Sequence, residues 1–317
     1  MKLLITRPLP ERVLAAARAR FQVTIRQQTL PMNREEVLSS LRDYDLVLPT
    51  LRDLYPAEVF ALVAKPRARM LGNFGVGYNH IDLAAAKAAG LVVSNTPGAV
   101  TDATADIALM LILMVARRAG EGERLVRAGR WEGWHPTQML GRHVSGKTVG
   151  IVGMGRIGQA IARRCHYGFG MQVRYFNRSK VAEPGMPSEQ VGALTELAAS
   201  VDVLVAAVPG GPETRHLIGA AVFAAMSPQA IFVNIARGDV VDEAALVAAL
   251  ESGTIAGAGL DVYEQEPLVP KRLRALENVV LLPHLGTAAL EVREAMGVLA
   301  VENLVAFADG RMPPNCL

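Results

Sequence analysis

Apolar residues in the first hundred positions fall into short runs separated by polar stretches with helical spacing. Lys2 to Ile5, Gln22 to Ile25, Leu46 to Leu48, Met70-Leu71 and Leu91 to Ser94 read as strands. Between them, Glu11 to Ala19, Arg34 to Leu41, Ala57 to Ala64 and Asp82 to Ala89 read as helices. Such alternation predicts a parallel sheet with crossover helices. Pro97-Gly98 punctuates the pattern, and the texture then changes. Thr101 to Arg118 is a long, almost wholly apolar helix, too hydrophobic for a surface element, so a domain boundary is placed there. The stretch from Gly120 to Gly146 is mixed and holds both tryptophans, Trp131 and Trp134.

From Lys147 a second alternation begins. Residues 148–152, 171–176, Val203 to Ala207, Ile231 to Asn234, Ala256 to Leu260 and Val279 to Leu282 read as strands. Residues 157–166, Glu196 to Ser200, Ala220 to Met226 and Glu243 to Glu251 read as helices. The first of these strands runs into Gly153, Gly155 and Gly158, a G-x-G-x-x-G turn that opens a helix. In that setting the first glycine permits the tight turn, the second admits a pyrophosphate to the backbone, and the third lets helix and strand pack closely. A last long helix, Ala288 to Ala308, is expected to return to the first domain. The fold expected is α/β, with two Rossmann-like domains of parallel sheet and a cleft between them. A discontinuous substrate domain would comprise 1–98 and 288–317, and a dinucleotide-binding domain 99–287. Clefts of this kind take small ligands.

Composition narrows the classes. The chain has 317 residues, 51% hydrophobic and 20% charged, enough for two buried cores. A net charge of +3 without basic runs interleaved with aromatics argues against a nucleic-acid partner. The longest apolar run, Ile107 to Ala116, falls well short of the roughly 20 residues of a membrane span. Met1 to Ile5 stops at Thr6-Arg7-Pro8 and reads as a strand, not a signal peptide. Cys165 and Cys316 imply no disulfide framework, so a reducing, cytoplasmic setting is expected. No constellation for thiol, metal or serine-nucleophile chemistry is present.

Three strand ends in the second domain offer chemistry. Ile231 to Asn234 runs into Arg237, a guanidinium where α/β sheets place ligands, unless it merely pairs with Asp239 or Asp242. Gly259-Leu260-Asp261 is followed by Glu264 and Glu266, and Val279 to Pro283 ends in His284. Of the six histidines only His284 has a strand-end address. Where dinucleotide sites commonly carry an acidic residue for the ribose hydroxyls, Asn177 stands nineteen residues past Gly158, followed by Arg178, Ser179 and Lys180. That basic turn would accept a 2′-phosphate, or it is simply solvated.

These motifs carry a resemblance. Asn234-x-x-Arg237-Gly238, Leu260-Asp261-Val262-Tyr263-x-x-Glu266-Pro267 and Pro283-His284-x-Gly286 resemble those of the D-isomer-specific 2-hydroxyacid dehydrogenases. The likeness extends over essentially the whole chain, including Asn73-Phe74-Gly75-Val76-Gly77, and is strongest to the glyoxylate/hydroxypyruvate reductase branch. It implies that Arg237 clamps the carboxylate of a small 2-oxo acid and polarises its ketone. His284 would donate a proton as hydride arrives, with Glu266 orienting the imidazole and favouring its charged form. Substrate contacts are implied for Leu51 and for the N–H groups of Val76 and Gly77. Cofactor contacts are implied for Thr104, Gly153, Gly155, Arg156, Ile157, Gly158, Asn177, Arg178, Ser179, Pro209, Ile235, Ala236, Asp261, His284 and Gly286. NADPH is the expected cofactor, with NADH the second candidate. A homodimer is expected, with Trp134 reaching the partner's substrate site.

Other readings share this core. Phosphoglycerate dehydrogenases do, although many add a C-terminal regulatory domain for which an end at Leu317 would leave no room. NAD-dependent oxidation of phosphite or formate, larger 2-oxo acids, and non-catalytic nucleotide-sensing corepressors are the remaining alternatives. An intact Arg237, Glu266 and His284 set argues against the last.

Overall fold

Segments Met1–Val100 and Ala288–Leu317 build one unit and Thr101–Thr287 builds another, in a computed structural model that describes all 317 residues. In the first unit the short apolar runs become β1 (Lys2–Ile5), β2 (Gln22–Ile25), β3 (Leu46–Leu48), β4 (Met70–Gly72) and β5 (Val92–Ser94). All pair in parallel, in the order β2-β1-β3-β4-β5. Between them lie α1 (Glu11–Arg18), α2 (Arg34–Asp43), α3 (Ala57–Leu62) and α4 (Leu83–Ala88). Local signals set the helix starts. Asn33 and Glu36 exchange side-chain and backbone bonds as a capping box for α2, and Asp82 caps α4. The C-terminal helix, Leu290–Ala308, packs on this sheet, with Leu304 filling the space above Gly72.

The second unit begins with α5 (Thr101–Ala116) and α6 (Ala119–Arg127). Then come β6 (Thr148–Val152), α7 (Arg156–Phe169), β7 (Gln172–Phe176), β8 (Glu189–Gln190) and α8 (Leu194–Ala199). β9 (Val203–Ala206), α9 (Ala220–Ala225), β10 (Ile231–Asn234), α10 (Glu243–Glu251), β11 (Gly257–Leu260), α11 (Lys271–Ala275) and β12 (Val279–Leu281) follow. The seven strands are parallel, in the order β12-β11-β10-β9-β6-β7-β8. Chain order reverses between β6 and β9, the place where doubly wound sheets open a ligand crevice at their carboxyl ends. Residues of α5 and α7 bury one face of the sheet, and α8, α9 and α10 cover the other. The α/β class, with two parallel sheets, is as expected from the alternation.

Several details differ from expectation. The stretch read as mixed contains α6, an amphipathic helix none of whose residues is fully buried. The apolar helix stops at Ala116 because Arg118 turns to φ 54°. It is not buried all round: Ile107, Leu113, Met114 and Val115 keep partial exposure. The two-residue β8 and five-residue α11 also escape a reading by periodicity. No helix is long and apolar enough to cross a membrane.

Candidate active site

The glycine turn sits at the switch point. Gly153 has φ +98°, and a Cβ there would lie 2.7 Å from Val208 Cγ1 and 2.9 Å from Ala207 O, so only glycine fits. A Cβ on Gly158 would approach Gly153 O to 2.1 Å, which keeps α7 tight against β6. At Gly155, by contrast, a Cβ would meet nothing within 4 Å. The turn therefore opens onto free space at the N-terminus of a fourteen-residue helix, whose first residues are Arg156 and Ile157. Unpaired N–H groups and the positive end of the helix dipole there suit a pyrophosphate.

Asn177 follows β7 and ties this turn in place. Its Oδ1 accepts from Met154 N–H at 3.1 Å, and its Nδ2 donates to Ser179 O at 2.8 Å. Arg178 is exposed and pairs with Glu213 from the loop after β9. That partner lies 35 positions away, and local sequence gave no sign of it. In the same loop, Pro209 O accepts from Thr214 Oγ1 at 2.7 Å.

The adjacent carboxyl ends of β10, β11 and β12 bring Arg237, Glu266 and His284 together. Asn234, only 1% exposed, shapes the first turn: its Oδ1 accepts from Ala236 N–H and its Nδ2 donates to Arg237 O, each at 3.0 Å. Ile235 and Ala236 are buried beside it. Arg237 makes no ion pair with Asp239 or Asp242 within 4 Å, so the surface-pair alternative does not hold. Its Nη1 donates to Ala236 O at 2.7 Å, while its buried Nε has no partner. Gly210 makes room for this side chain, since a Cβ there would come within 2.7 Å of Arg237 Cγ. Burial, the largest influence, lowers the guanidinium's pKa, against the carboxylates of Glu266 and Asp239, which raise it.

His284 Nδ1 lies 3.1 and 3.0 Å from the two oxygens of Glu266, and Glu266 Oε1 also accepts from Tyr263 N–H at 3.2 Å. With Nδ1 donating to the carboxylate, Nε2 is the nitrogen left for a ligand. The His284 backbone is left-handed, at φ 57°. Asp261 grips the residues just beyond, and Thr104 Oγ1 donates to Gly286 O at 3.0 Å. The Asp261 carboxyl is pushed above its usual range chiefly by burial, with the Leu285 N–H, the His284 charge and the Gly286 N–H opposing.

In the first unit, Leu51 follows a tightly bonded turn. Arg7 Nη1 donates to Leu51 O at 2.8 Å, and fully buried Asp53 accepts from Thr50 N–H at 2.9 Å and Thr6 Oγ1 at 2.6 Å. Arg7 and Asp53 were not foreseen as supports of Leu51. Asn73 Nδ2 donates to the carbonyls of Gly75 and Gly77, each at 3.0 Å, and Asn95 Nδ2 donates to Val76 O at 2.9 Å. The N–H groups of Val76 and Gly77 bond no backbone carbonyl. Trp134, in the arm after α6, is 80% exposed.

Residues 109–286 match the model of the D-isomer specific 2-hydroxyacid dehydrogenase NAD-binding domain. A glyoxylate reductase of Thermococcus onnurineus is 45% identical, over 99% of this chain and 95% of that protein. Among solved structures, an NADPH-dependent glyoxylate/hydroxypyruvate reductase from Sinorhizobium meliloti, in complex with NADP and malonate, superposes with a TM-score of 0.88 at 36% identity. The match covers 100% of this chain and 96% of that one. A glyoxylate reductase from Paecilomyes thermophila gives a TM-score of 0.88 at 33% identity, over 100% of this chain and 98% of that one. The chain therefore belongs to the D-isomer specific 2-hydroxyacid dehydrogenases and is an NAD(P)-dependent oxidoreductase.

Proposed function

We propose that this enzyme reduces glyoxylate, and hydroxypyruvate as a second substrate, to the 2-hydroxy acid, with NADPH as preferred cofactor. The observation that carries the reading is the His284–Glu266 pair at the carboxyl ends of the strands, in the unit that also holds Arg237. The cofactor, when bound, supplies the hydride. The open glycine turn, Arg156, Ile157, Pro209 and Asn177 are the residues that would hold it. Arg237 offers its unpartnered Nε, and the rest of its fork, to the carboxylate and ketone oxygen of the substrate. His284, oriented through Nδ1, donates the Nε2 proton to the ketone oxygen, and Glu266 stabilises the imidazolium before that transfer. The free N–H groups of Val76 and Gly77 suit a carboxylate, and Leu51 suits a small side chain.

Preference for NADPH is supported by Arg178 and Ser179 next to a neutral Asn177. Arg178 must exchange Glu213 for the 2′-phosphate, but an exposed ion pair contributes only about 0–1 kcal/mol and a phosphate dianion outcompetes it. The NADP in the Sinorhizobium structure is consistent with this choice. Pairing of two copies is supported by an exposed apolar series at Val126, Trp131, Trp134 and Leu140.

Steady-state kcat/KM for glyoxylate, hydroxypyruvate and larger 2-oxo acids, each with NADPH and NADH, tests the whole reading. The smallest substrates with NADPH should lead. Turnover confined to phosphite, formate or phosphorylated acids would reject it.

A further inference from the structure

Two carboxylates stand two residues apart on the turn after β11, and each is met by a histidine at positive φ. Glu266 faces His284, at φ 57°. Glu264 faces His216, at φ 50°, whose Nε2 donates to Oε1 at 2.8 Å. Left-handed backbone is uncommon outside glycine and persists where surrounding contacts over-determine it. The chemistry proposed above uses only the first pair.

His216 also bonds a second segment. Its N–H donates to Asp239 O at 2.7 Å, and Ile218 N–H donates to Val240 O at 3.0 Å. Asp239 and Val240 form the 3₁₀ turn directly after Arg237. So the same residue holds the Arg237 turn with its backbone and the Glu266 turn with its ring. The two turns already touch: a Cβ on Gly238 would lie 1.9 Å from the carbonyl carbon of Tyr263 and 2.0 Å from its oxygen. Contact of that kind stops the turns approaching but does not stop them sliding or parting. Directional bonds from a third segment do. Arg215 Nη2 reaches the same Glu264 oxygen at 3.4 Å, so the carboxylate is held by two side chains, and Glu243 Oε2 accepts from the Glu264 backbone N–H at 3.4 Å, which ties the turn itself.

We propose that His216 is a positioning residue: by joining Asp239 to Glu264 it fixes the Arg237 guanidinium relative to the Glu266–His284 pair. The inference rests on the roles proposed for Arg237 and His284. Small misplacements of a substrate clamp are costly, because reacting atoms must be held near contact distance. The His216–Glu264 bond therefore acts on substrate binding and turnover, and leaves the glycine turn untouched.

Two variants separate positioning from bulk structure. His216→Ala removes the ring bond, whereas His216→Gln keeps a side-chain N–H donor and imposes the same backbone demand at position 216. Each is assayed for kcat and KM with glyoxylate and for NADPH dissociation by fluorescence titration. His216→Ala should lower kcat/KM at least tenfold, largely through KM for glyoxylate, with NADPH affinity within twofold. His216→Gln should recover most of that loss. Native kcat/KM in His216→Ala overturns the proposal, and so does an equal loss in both variants that extends to NADPH binding. If His216→Ala does not fold, Glu264→Ala cuts the same bond from the other side and must show the same loss. Arg237→Ala and His284→Ala run beside them. If those keep native turnover, the reading of the site is wrong; if they lose it and His216→Ala does not, only this inference fails.

Discussion

Asp261 takes hold of Leu285: its Oδ1 accepts the Leu285 N–H at 2.6 Å, while Oδ2 accepts from Gly286 at 2.8 Å. A buried carboxylate thereby pins the backbone directly after the proposed proton donor. Family resemblance assigns Asp261 a contact to the nicotinamide amide, and each oxygen retains a lone pair for one. Its structural duty is the backbone grip. Asp261→Asn replaces one acceptor by a donor facing an N–H. It should cost about 1–3 kcal/mol of stability and lower kcat roughly tenfold or more as His284 loses its left-handed pose. Thermal unfolding and steady-state kinetics check both. Native values in each would show that the grip is dispensable.

In the role proposed for it, His284 must carry its second proton to reduce a ketone. Reduction should therefore slow as pH rises and the imidazole deprotonates, while oxidation of the hydroxy acid should show the opposite limb. Removing a general acid costs roughly 10²–10⁴-fold, the loss expected of His284→Ala with cofactor binding retained. Glu266→Gln leaves only one oxygen to accept from Nδ1 and removes the carboxylate charge, so it should lower kcat while cofactor binding is retained. Native kcat in Glu266→Gln would count against the pairing.

Cofactor choice is expected to follow Arg178. Arg178→Ala should reduce kcat/KM for NADPH about ten- to a hundredfold, since charge-assisted hydrogen bonds contribute roughly 1.5–3 kcal/mol each. NADH should be affected less than about twofold. Asn177→Asp adds a repulsive carboxylate and should favour NADH further, and it also disturbs the Asn177–Met154 bond that shapes the glycine turn. Equal kcat/KM for both cofactors in the unmodified enzyme would reduce this turn to a solvated basic surface.

The exposed series from Val126 through Leu140 should be covered in solution by a second copy. Light scattering at assay concentration should give twice the chain mass. Trp134→Ala should widen the range of 2-oxo acids accepted if that indole borders the partner's substrate. A monomer refutes the first statement, and an unaltered substrate range refutes the second.

The two thiols should differ sharply. Cys165 is fully buried, and desolvation pushes its pKa up to about 12, so the nucleophilic thiolate is suppressed. Cys316 is exposed. An aromatic disulfide reagent should titrate one thiol per native chain and the second only after unfolding. Two fast equivalents would contradict the burial.

Strand positions were legible because each apolar run is short, bounded by turn residues and followed by a helix. The glycine spacing identified its turn for the same local reason, and Arg237, Glu266 and His284 stand out as polar groups at strand ends. Elements without a buried stripe were not legible, α6 being the clearest case. Nor were contacts closed by the fold. Glu213 reaches Arg178 across 35 positions and Glu264 reaches His216 across 48, with no periodicity linking either pair. Asp261 is the intermediate case: its residue type was conspicuous, but nothing local revealed that both oxygens engage backbone beyond His284.

The unpartnered Nε of Arg237 has a practical consequence. A half-sheltered cation with spare hydrogen-bonding capacity does not discriminate strongly among small planar anions. On the role proposed for Arg237, acetate, formate or oxalate in an assay buffer should compete with the substrate and, by binding only the folded chain, should raise its melting temperature by mass action. Apparent KM values should then depend on the choice of buffer salt.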